Sequence, residues 1–384
     1  MERRIVITGS GVVSALGLGK AANEKAFAQG LRAIAPVRYL RTSLLDFPVG
    51  EVPASDDELM RLCGVSERIP RGSLLSVLAL REALSEAGFA DGAGMPLISG
   101  TTVGGMDLSE ASFPEFSPLH DCGASTDAAA DVVGGFGYRT TLSTACSSAA
   151  NALAFGARLI RSGLVKRVVA GGAESLSDYH LHGFASLMIL DREPCRPFDL
   201  GRAGLNLGEA AAFLVLESEE AALERGAKPL ALLEGWGNAC DAYHQTASSE
   251  NGEGAYLSML KALESAGLKS SDIDYVNAHG TGTPNNDTSE SAALRRVFGE
   301  VMPPVSSTKA LSGHTTSASG SLEAVFCMMA LKEGLIPAQQ GLSTPDPACI
   351  LPVTESLHRP LRHILCNSFG FGGNDTSLII GRYE

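Results

Sequence analysis

Two segments of this chain, Ser147–Arg161 and Ala318–Lys332, are mostly Ala, Leu, Phe, Met and Ile around their whole circumference. A helix that is apolar all round has no face to offer water, so it must lie inside a larger body. The two segments occupy matching places in two similar runs of elements. The first run has strands expected near Arg4–Thr8, Leu97–Thr101, Thr140–Ser143, Arg167–Ala170 and Ala211–Leu216, and an amphipathic helix Ser73–Ala87 closed by Gly88. The second has strands expected near Leu230–Gly235, Ile273–Asn277, Pro304–Ser306, His363–Cys366 and Ser377–Ile380, and a helix Ala255–Ala266 closed by Gly267. Alternating strands and helices imply an α/β architecture with largely parallel sheets. Sequence identity between the runs is weak, so their order carries the inference of a duplicated fold with its core at a pseudo-twofold axis. The boundary falls near Ala227–Pro229, giving an N-terminal half 1–228 and a C-terminal half 229–384. The Gly/Ala/Ser-rich stretch Met106–Tyr138 reads as a loop or cap.

The 384 residues suit two such halves, and only 19% of them are charged. That share is below the roughly 25% of ordinary soluble chains and suggests buried surface, as in an oligomer. A net charge of −13 argues against a nucleic-acid binder. The 8 cysteines form no C-x-x-C pair. They fit reduced cytoplasmic thiols better than a disulfide framework or a metal site. No run of about 20 apolar residues is present to span a membrane. The apolar stretch in Met1–Gly19 is broken by Thr8, Gly9, Ser10 and Ser14, and reads as strand and turn rather than an export signal.

Chemistry-bearing residues gather at the ends of expected strands. Cys146 stands between a strand and the start of the first buried helix, where backbone N–H groups and the helix dipole favour a thiolate and can hold an oxyanion. On its own, a cysteine there is more often a small packing residue. His279 lies on the Gly-rich run Asn277–Pro284, directly after a strand. Lys309 and His314 precede the second buried helix. The run Asn367–Asn374 is Gly-rich but lacks the phosphate-loop and dinucleotide patterns. A Cys, two His and a Lys at loop ends of one duplicated fold suit thiol-ester chemistry.

The runs T-A-C-S-S (Thr144–Ser148), N-A-H-G-T-G-T-P-x-N-D (Asn277–Asp287), K-x-x-x-G-H-T (Lys309–Thr315) and N-S-F-G-F-G-G-x-N/D (Asn367–Asp375) resemble the β-ketoacyl-acyl-carrier-protein synthases, in their elongating, condensing branch. Four motifs in order over nearly the whole chain make this a specific signal. The resemblance implies the thiolase-like fold, a duplicated five-layer α/β/α/β/α sandwich. It implies an acyltransferase that condenses an acyl thioester, held on Cys146, with malonyl-acyl carrier protein, in fatty acid, polyene or polyketide synthesis. By the same resemblance, His279 and His314 support malonyl decarboxylation, and Lys309 positions His314 and tunes the local field. The backbone N–H groups of Cys146 and Phe371 form the oxyanion hole, with Phe371 also a gate. Thr281 and Thr283, with Phe369, line the substrate channel, and Glu323 is a structural acid. No metal and no dissociable cofactor is implied, since the substrates carry phosphopantetheine. The implied partners are an acyl carrier protein and a second chain, either its own copy or a related synthase-like subunit.

Several positions depart from the family pattern. Ser317 and Ser319 stand where Gly or Ala is usual, Gly208–Ala212 has Ala where Gly is more usual, and Gly105–Thr140 is shorter than in housekeeping elongation enzymes. The runs Ser186–Asp191, Cys195–Asp199 and Gly204–Glu209 resemble a subgroup from specialised polyene pathways. Rival readings are a non-catalytic chain-length factor, a thiolase acting on coenzyme A esters, and a priming synthase. Cys146 argues against the first, and His314, in place of an Asn, against the last. His120, His180, His182, His244, His358 and His363 read as surface or packing residues. An acidic carrier docking on an acidic chain needs a local basic patch, for which Arg68, Arg71 and Arg202 are candidates beside their reading as solvated surface.

Overall fold

The computed structural model describes residues 3–384, so the first two residues of the expected N-terminal strand and turn lie outside it. All ten expected strands form, and each half arranges its five in the same spatial order. In the N-terminal half the order is Tyr138–Leu142, Pro96–Gly100, Arg167–Glu174, Ala210–Ser218, Ile5–Ser14. In the C-terminal half it is Val305–Ser306, Tyr275–Asn277, His363–Gly370, Asn374–Gly381, Ala231–Cys240. Numbered along the chain, both read third, second, fourth, fifth, first. The halves join where Val6 and Ile7 pair antiparallel with Leu232 and Ala231.

The sheets are mixed rather than largely parallel. Only the first three strands of each spatial series run parallel; the remaining pairs are antiparallel. The C-terminal half shows the cause. The Gly-rich turn after Gly370 joins neighbouring strands directly, and a tight hairpin can only join antiparallel strands.

Side chains alternate across each strand and divide into three cores. Val168, Ala170, Leu214, Ile364 and Ile380 face a central core shared with the helices Ser148–Arg161 and Ser319–Glu333. Val169, Phe213 and Val215 face outward onto the helix Arg71–Ala87. Val276, Leu365 and Ile379 face the opposite way, onto Glu253–Ala266 and Pro284–Phe298. The result is helix, sheet, helix, sheet, helix, the thiolase-like sandwich. The central helices cross so closely that a Cβ on Gly320 would lie 2.6 Å from that of Ala150. From Ser319 to Leu331 every residue of the second helix is buried. The first is less enclosed than its composition suggests: Phe155 and Leu159 are half-buried and Arg158 is exposed.

The stretch Met106–Tyr138 is not a loop. It holds the helices Met106–Ser112 and Cys122–Val133, then opens the edge strand. Ala129 and Ala130 pack in the outer core beside Leu80 and Ala83, and Ser73 Oγ donates to the Ser125 carbonyl at 2.7 Å. Small Ala and Ser side chains allow that close approach but leave little hydrophobic period to read. Among the described residues no helix is long and apolar enough to cross a membrane.

Candidate active site

Each central helix begins at the middle of the molecule, and the turns before the two helices face each other. Cys146 lies in the turn Thr144–Ser147, held by Ser147 Oγ donating to the Thr144 carbonyl (2.8 Å) and by the Thr144 N–H donating to Ser148 Oγ (2.9 Å). Ala145 takes φ +51°, a strained value for a residue with a Cβ. The Gly-rich hairpin comes up against this turn. A Cβ on Gly370 would lie 2.9 Å from the Thr144 carbonyl oxygen and 3.1 Å from Cys146 N, so a glycine is needed there. That approach directs the Phe371 N–H, together with that of Cys146, at the thiol sulfur.

His314 precedes the second central helix. Its Nε2 is 3.1 Å from Cys146 Sγ, and its Nδ1 is 3.0 Å from Ser319 Oγ. His279 follows the strand Tyr275–Asn277, its ring edge-on to that of His314 at 5.2 Å between centroids. Burial, the Lys309 charge and the neighbouring His314 hold His279 well below the usual imidazole range. Burial first, then Lys309 and His180, do the same for His314. Both rings are therefore neutral at pH 7. Burial pushes the Cys146 thiol up to about 12, opposed by the Lys309 charge and the two backbone N–H groups. In the resting site the sulfur keeps its proton.

Lys309 and Glu323 are both buried, with Nζ 2.5 Å from Glu323 Oε1. Burial pushes the Glu323 carboxyl up to about 7, against the pull of Lys309. The ammonium thus bonds to Glu323 and reaches the histidines only through its field. Thr281 and Thr283 share a hydroxyl–hydroxyl bond of 2.8 Å. Cys146, His279, His314, Thr281, Phe369 and Phe371 line one cavity of about 260 Å³, with Thr283 on the same wall. Phe371 stacks on Phe184 at 5.8 Å, and the His180 ring meets Phe184 edge-on at 5.1 Å.

Glu290 escapes a reading of the sequence, and so does the anchoring role of Asp287, which closes the second motif. The helix Pro284–Phe298 presents Asp287 and Glu290, three residues apart and both buried, to the loop that carries His279. Glu290 accepts from the His279 N–H (2.9 Å), the Gly280 N–H (2.8 Å) and Asn367 Nδ2 (3.1 Å). Asp287 accepts from the Gly282 and Phe198 N–H groups. Their spacing on one face, just after a Gly-rich loop, is the available signal.

The docking candidates need correction. Arg71 is buried, with Nη2 2.6 Å from Glu209 and Nη1 2.8 Å from Asp56. Arg202 is buried too, with Nη1 2.5 Å from Asp346 and Nε 3.6 Å from Asp287. Neither can meet a partner, because each neutralises carboxylates inside the fold. Arg68 is exposed and 3.2 Å from Asp56.

Residues 2–222 match the β-ketoacyl synthase N-terminal domain and residues 230–343 the C-terminal domain. The chain is 37% identical to nodulation protein E of Rhizobium meliloti, over 98% of this chain and 99% of that one. It is 32% identical to 3-oxoacyl-[acyl-carrier-protein] synthase 2 of a Synechocystis species, over 100% of this chain and 99% of the relative. Among solved structures, the ishigamide ketosynthase/chain length factor superposes with a TM-score of 0.92 at 32% identity, covering 100% of both chains.

Proposed function

The chain belongs to the β-ketoacyl synthase family, and we propose that it carries out a decarboxylative condensation between an acyl thioester on Cys146 and a malonyl unit on an acyl carrier protein. The observation that carries this reading is a buried thiol 3.1 Å from a neutral imidazole, with a second neutral imidazole beside it and two backbone N–H groups on the sulfur. The acyl group arrives as a phosphopantetheine thioester along the cavity past Thr281 and Thr283. Cys146 attacks its carbonyl as His314 Nε2 takes the thiol proton. The oxyanion forms against the Cys146 and Phe371 N–H groups, and the departing carrier thiolate takes that proton back. Malonyl thioester then fills the emptied channel. Its C–C bond to the carboxylate breaks, carbon dioxide leaves, and the electron pair becomes an enolate whose oxygen accepts hydrogen bonds from the imidazole side of the cavity. The enolate carbon attacks the Cys146 thioester, and the sulfur leaves as thiolate, which takes up one proton from solvent through the cavity. Neutral imidazoles suit this task, since they can donate to an enolate without a buried charge beside Lys309.

The division of labour follows the halves: 1–228 supplies Cys146, and 229–384 supplies His279, Lys309 and His314. The enzyme works without a dissociable cofactor beyond the phosphopantetheine its substrates bring. Eight unbridged cysteines support a cytoplasmic setting. Among the described residues, the strand Tyr138–Leu142 pairs on one side only and leaves an edge free. That edge supports assembly with a second thiolase-like chain, either its own copy or a related synthase-like subunit, and native mass spectrometry distinguishes the two. The resemblance of the runs Ser186–Asp191, Cys195–Asp199 and Gly204–Glu209 to a polyene-pathway subgroup supports a polyene or polyketide substrate. Incubation with a panel of acyl and malonyl carrier proteins tests the reading: β-ketoacyl products that extend short unsaturated primers support it, and exclusive extension of long saturated primers contradicts the polyene assignment.

A further inference from the structure

We propose that Asn151 is a positioning residue that ties the nucleophile turn to the outgoing strand of the Gly-rich hairpin, so that the Cys146 and Phe371 N–H groups converge on one oxyanion. The inference rests on Cys146 being the nucleophile. The two donors come from different halves. Cys146 sits in the turn Thr144–Ser147, and Phe371 at the tip of the hairpin between His363–Gly370 and Asn374–Gly381. An oxyanion hole works only if its donors are fixed before charge develops. Ala145, at φ +51°, cannot hold the turn by itself, since a strained residue keeps its conformation only where its surroundings over-determine it.

Asn151 lies one turn into the first central helix, where its N–H donates to the Ser147 carbonyl at 2.9 Å. Asparagine is a poor helix former, and Ala149, Ala150 and Ala152 surround it, so its place has a reason beyond the helix. Its side chain works at both ends. Nδ2 donates to Thr144 Oγ1 at 3.0 Å and to Ser147 Oγ at 3.3 Å, on the residues that flank Ala145 and Cys146. Oδ1 accepts from Asn238 Nδ2 at 3.0 Å and from Thr376 Oγ1 at 3.1 Å. All four hydrogen-bonding places of the amide are thereby filled. Asn238 and Thr376 pair across neighbouring strands of the C-terminal half, and Asn238 Nδ2 also donates to Thr376 Oγ1 at 3.0 Å. Thr376 stands two residues beyond Asn374, where the hairpin re-enters the sheet. One amide therefore spans both arms of the hole. The close approach of Gly370 to the Thr144 carbonyl sets how near the arms come, and the Asn151 bridge keeps the turn from sliding along the hairpin. This role needs the amide to join the two halves and does not depend on which hydroxyl donates.

The test separates the half-reaction that uses the hole from the one that does not. Acyl loading, read from the intact mass of the protein after mixing with acyl-carrier protein, builds charge on the carbonyl at Cys146. Decarboxylation, read as conversion of malonyl-carrier to acetyl-carrier protein, builds it on the malonyl oxygen at the imidazoles. Asn151→Ala is expected to slow the maximal rate of loading about tenfold, part of the roughly hundredfold or more that one oxyanion donor supplies, and to change decarboxylation less than about threefold. Thr376→Val keeps a branched side chain and cuts only the far end of the bridge. It should slow loading about threefold, and the double variant should be no slower than Asn151→Ala alone. In hydrogen exchange without substrates, the Ser147 and Ser148 amides, which donate to the Thr144 and Ala145 carbonyls, should exchange at least about fivefold faster in Asn151→Ala. Unchanged loading in either variant, equal slowing of both half-reactions, multiplied effects in the double variant, or unchanged exchange overturns the proposal. A wild-type protein that performs neither half-reaction would defeat the condensing function instead, while the exchange rates would still decide whether Asn151 holds the turn.

Discussion

The two central helices begin at equivalent points of a duplicated scaffold, yet the turns that precede them differ in kind. Both turns hold one non-glycine residue at positive φ, Ala145 and Thr316, but the turn before Ser148–Arg161 presents one thiol. The turn before Ser319–Glu333 presents an imidazole, and behind it lies an ion pair buried in the same half. Burial raises the thiol and depresses both imidazoles, so each group is uncharged when the site is at rest. The lesson is that duplication supplies two converging helix starts, and divergence of the residues at each start places a thiol at one and an imidazole at the other.

The sharpest way to break the comparison is at the nucleophile. Cys146→Ala should lower condensation at least about a thousandfold, measured as β-ketoacyl-carrier product, while leaving malonyl decarboxylation measurable because both histidines remain. Equal turnover by the variant would remove Cys146 from the mechanism.

The next largest effect should come from the buried ion pair behind the second turn. Glu323→Ala strands the Lys309 ammonium at a buried site and should destabilise the fold by about 3–5 kcal/mol in denaturant unfolding. A change below about 1 kcal/mol would show that Lys309 finds another partner or loses its proton.

The crossing point of the halves is more tolerant. Gly320→Val pushes a side chain into Ala150 and should cost about 1–3 kcal/mol, with the same assay as the check. An unchanged midpoint would mean that the helices separate freely, and that the geometry linking Cys146 to His314 is loosely set.

The smallest effect sharpens the comparison at matching strand starts. Arg167 opens its strand 3.4 Å from Glu217, whereas His363 opens the equivalent strand 2.7 Å from Glu234. The hydrogen bond to Glu234 raises the His363 pKa above its unfolded value, more than burial lowers it. Its contribution is therefore complete below about pH 6.5, the ordinary imidazole value, and is lost as pH rises through the folded value. This partly exposed pair should contribute no more than about 1 kcal/mol. The stability difference between wild type and His363→Gln should be present at pH 6 and vanish by about pH 9 in paired melting curves. A difference that grows with pH would reverse the assignment.

What the sequence disclosed and what it hid divide along physical lines. The site motifs were legible because chemistry in this architecture sits at strand ends and helix starts, where Gly, His and Cys stand out from their surroundings. The positions of the strands along the chain were legible from apolar runs between turn residues, but their spatial order and mixed direction were not. Glu290 and the anchoring role of Asp287 were not legible either, because an acid on an otherwise polar helix looks like a solvated face until the loop it anchors is seen above it. The helix Cys122–Val133 was hidden by Ala, Ser and Gly, whose small side chains give no clear period. Arg71 and Arg202 were misjudged for a different reason. Their carboxylate partners include Glu209 and Asp346, brought close only by folding, and a cationic side chain without a visible partner reads as surface.

The claim that one half holds the acyl group while the other activates the malonyl unit has a direct test in His279→Ala. The variant is mixed with acyl-carrier and malonyl-carrier proteins, and its intact mass and peptide map are recorded. An acyl adduct that accumulates on Cys146 with no condensed product is the predicted result. No adduct, an adduct on another residue, or product formed at the wild-type rate would contradict it.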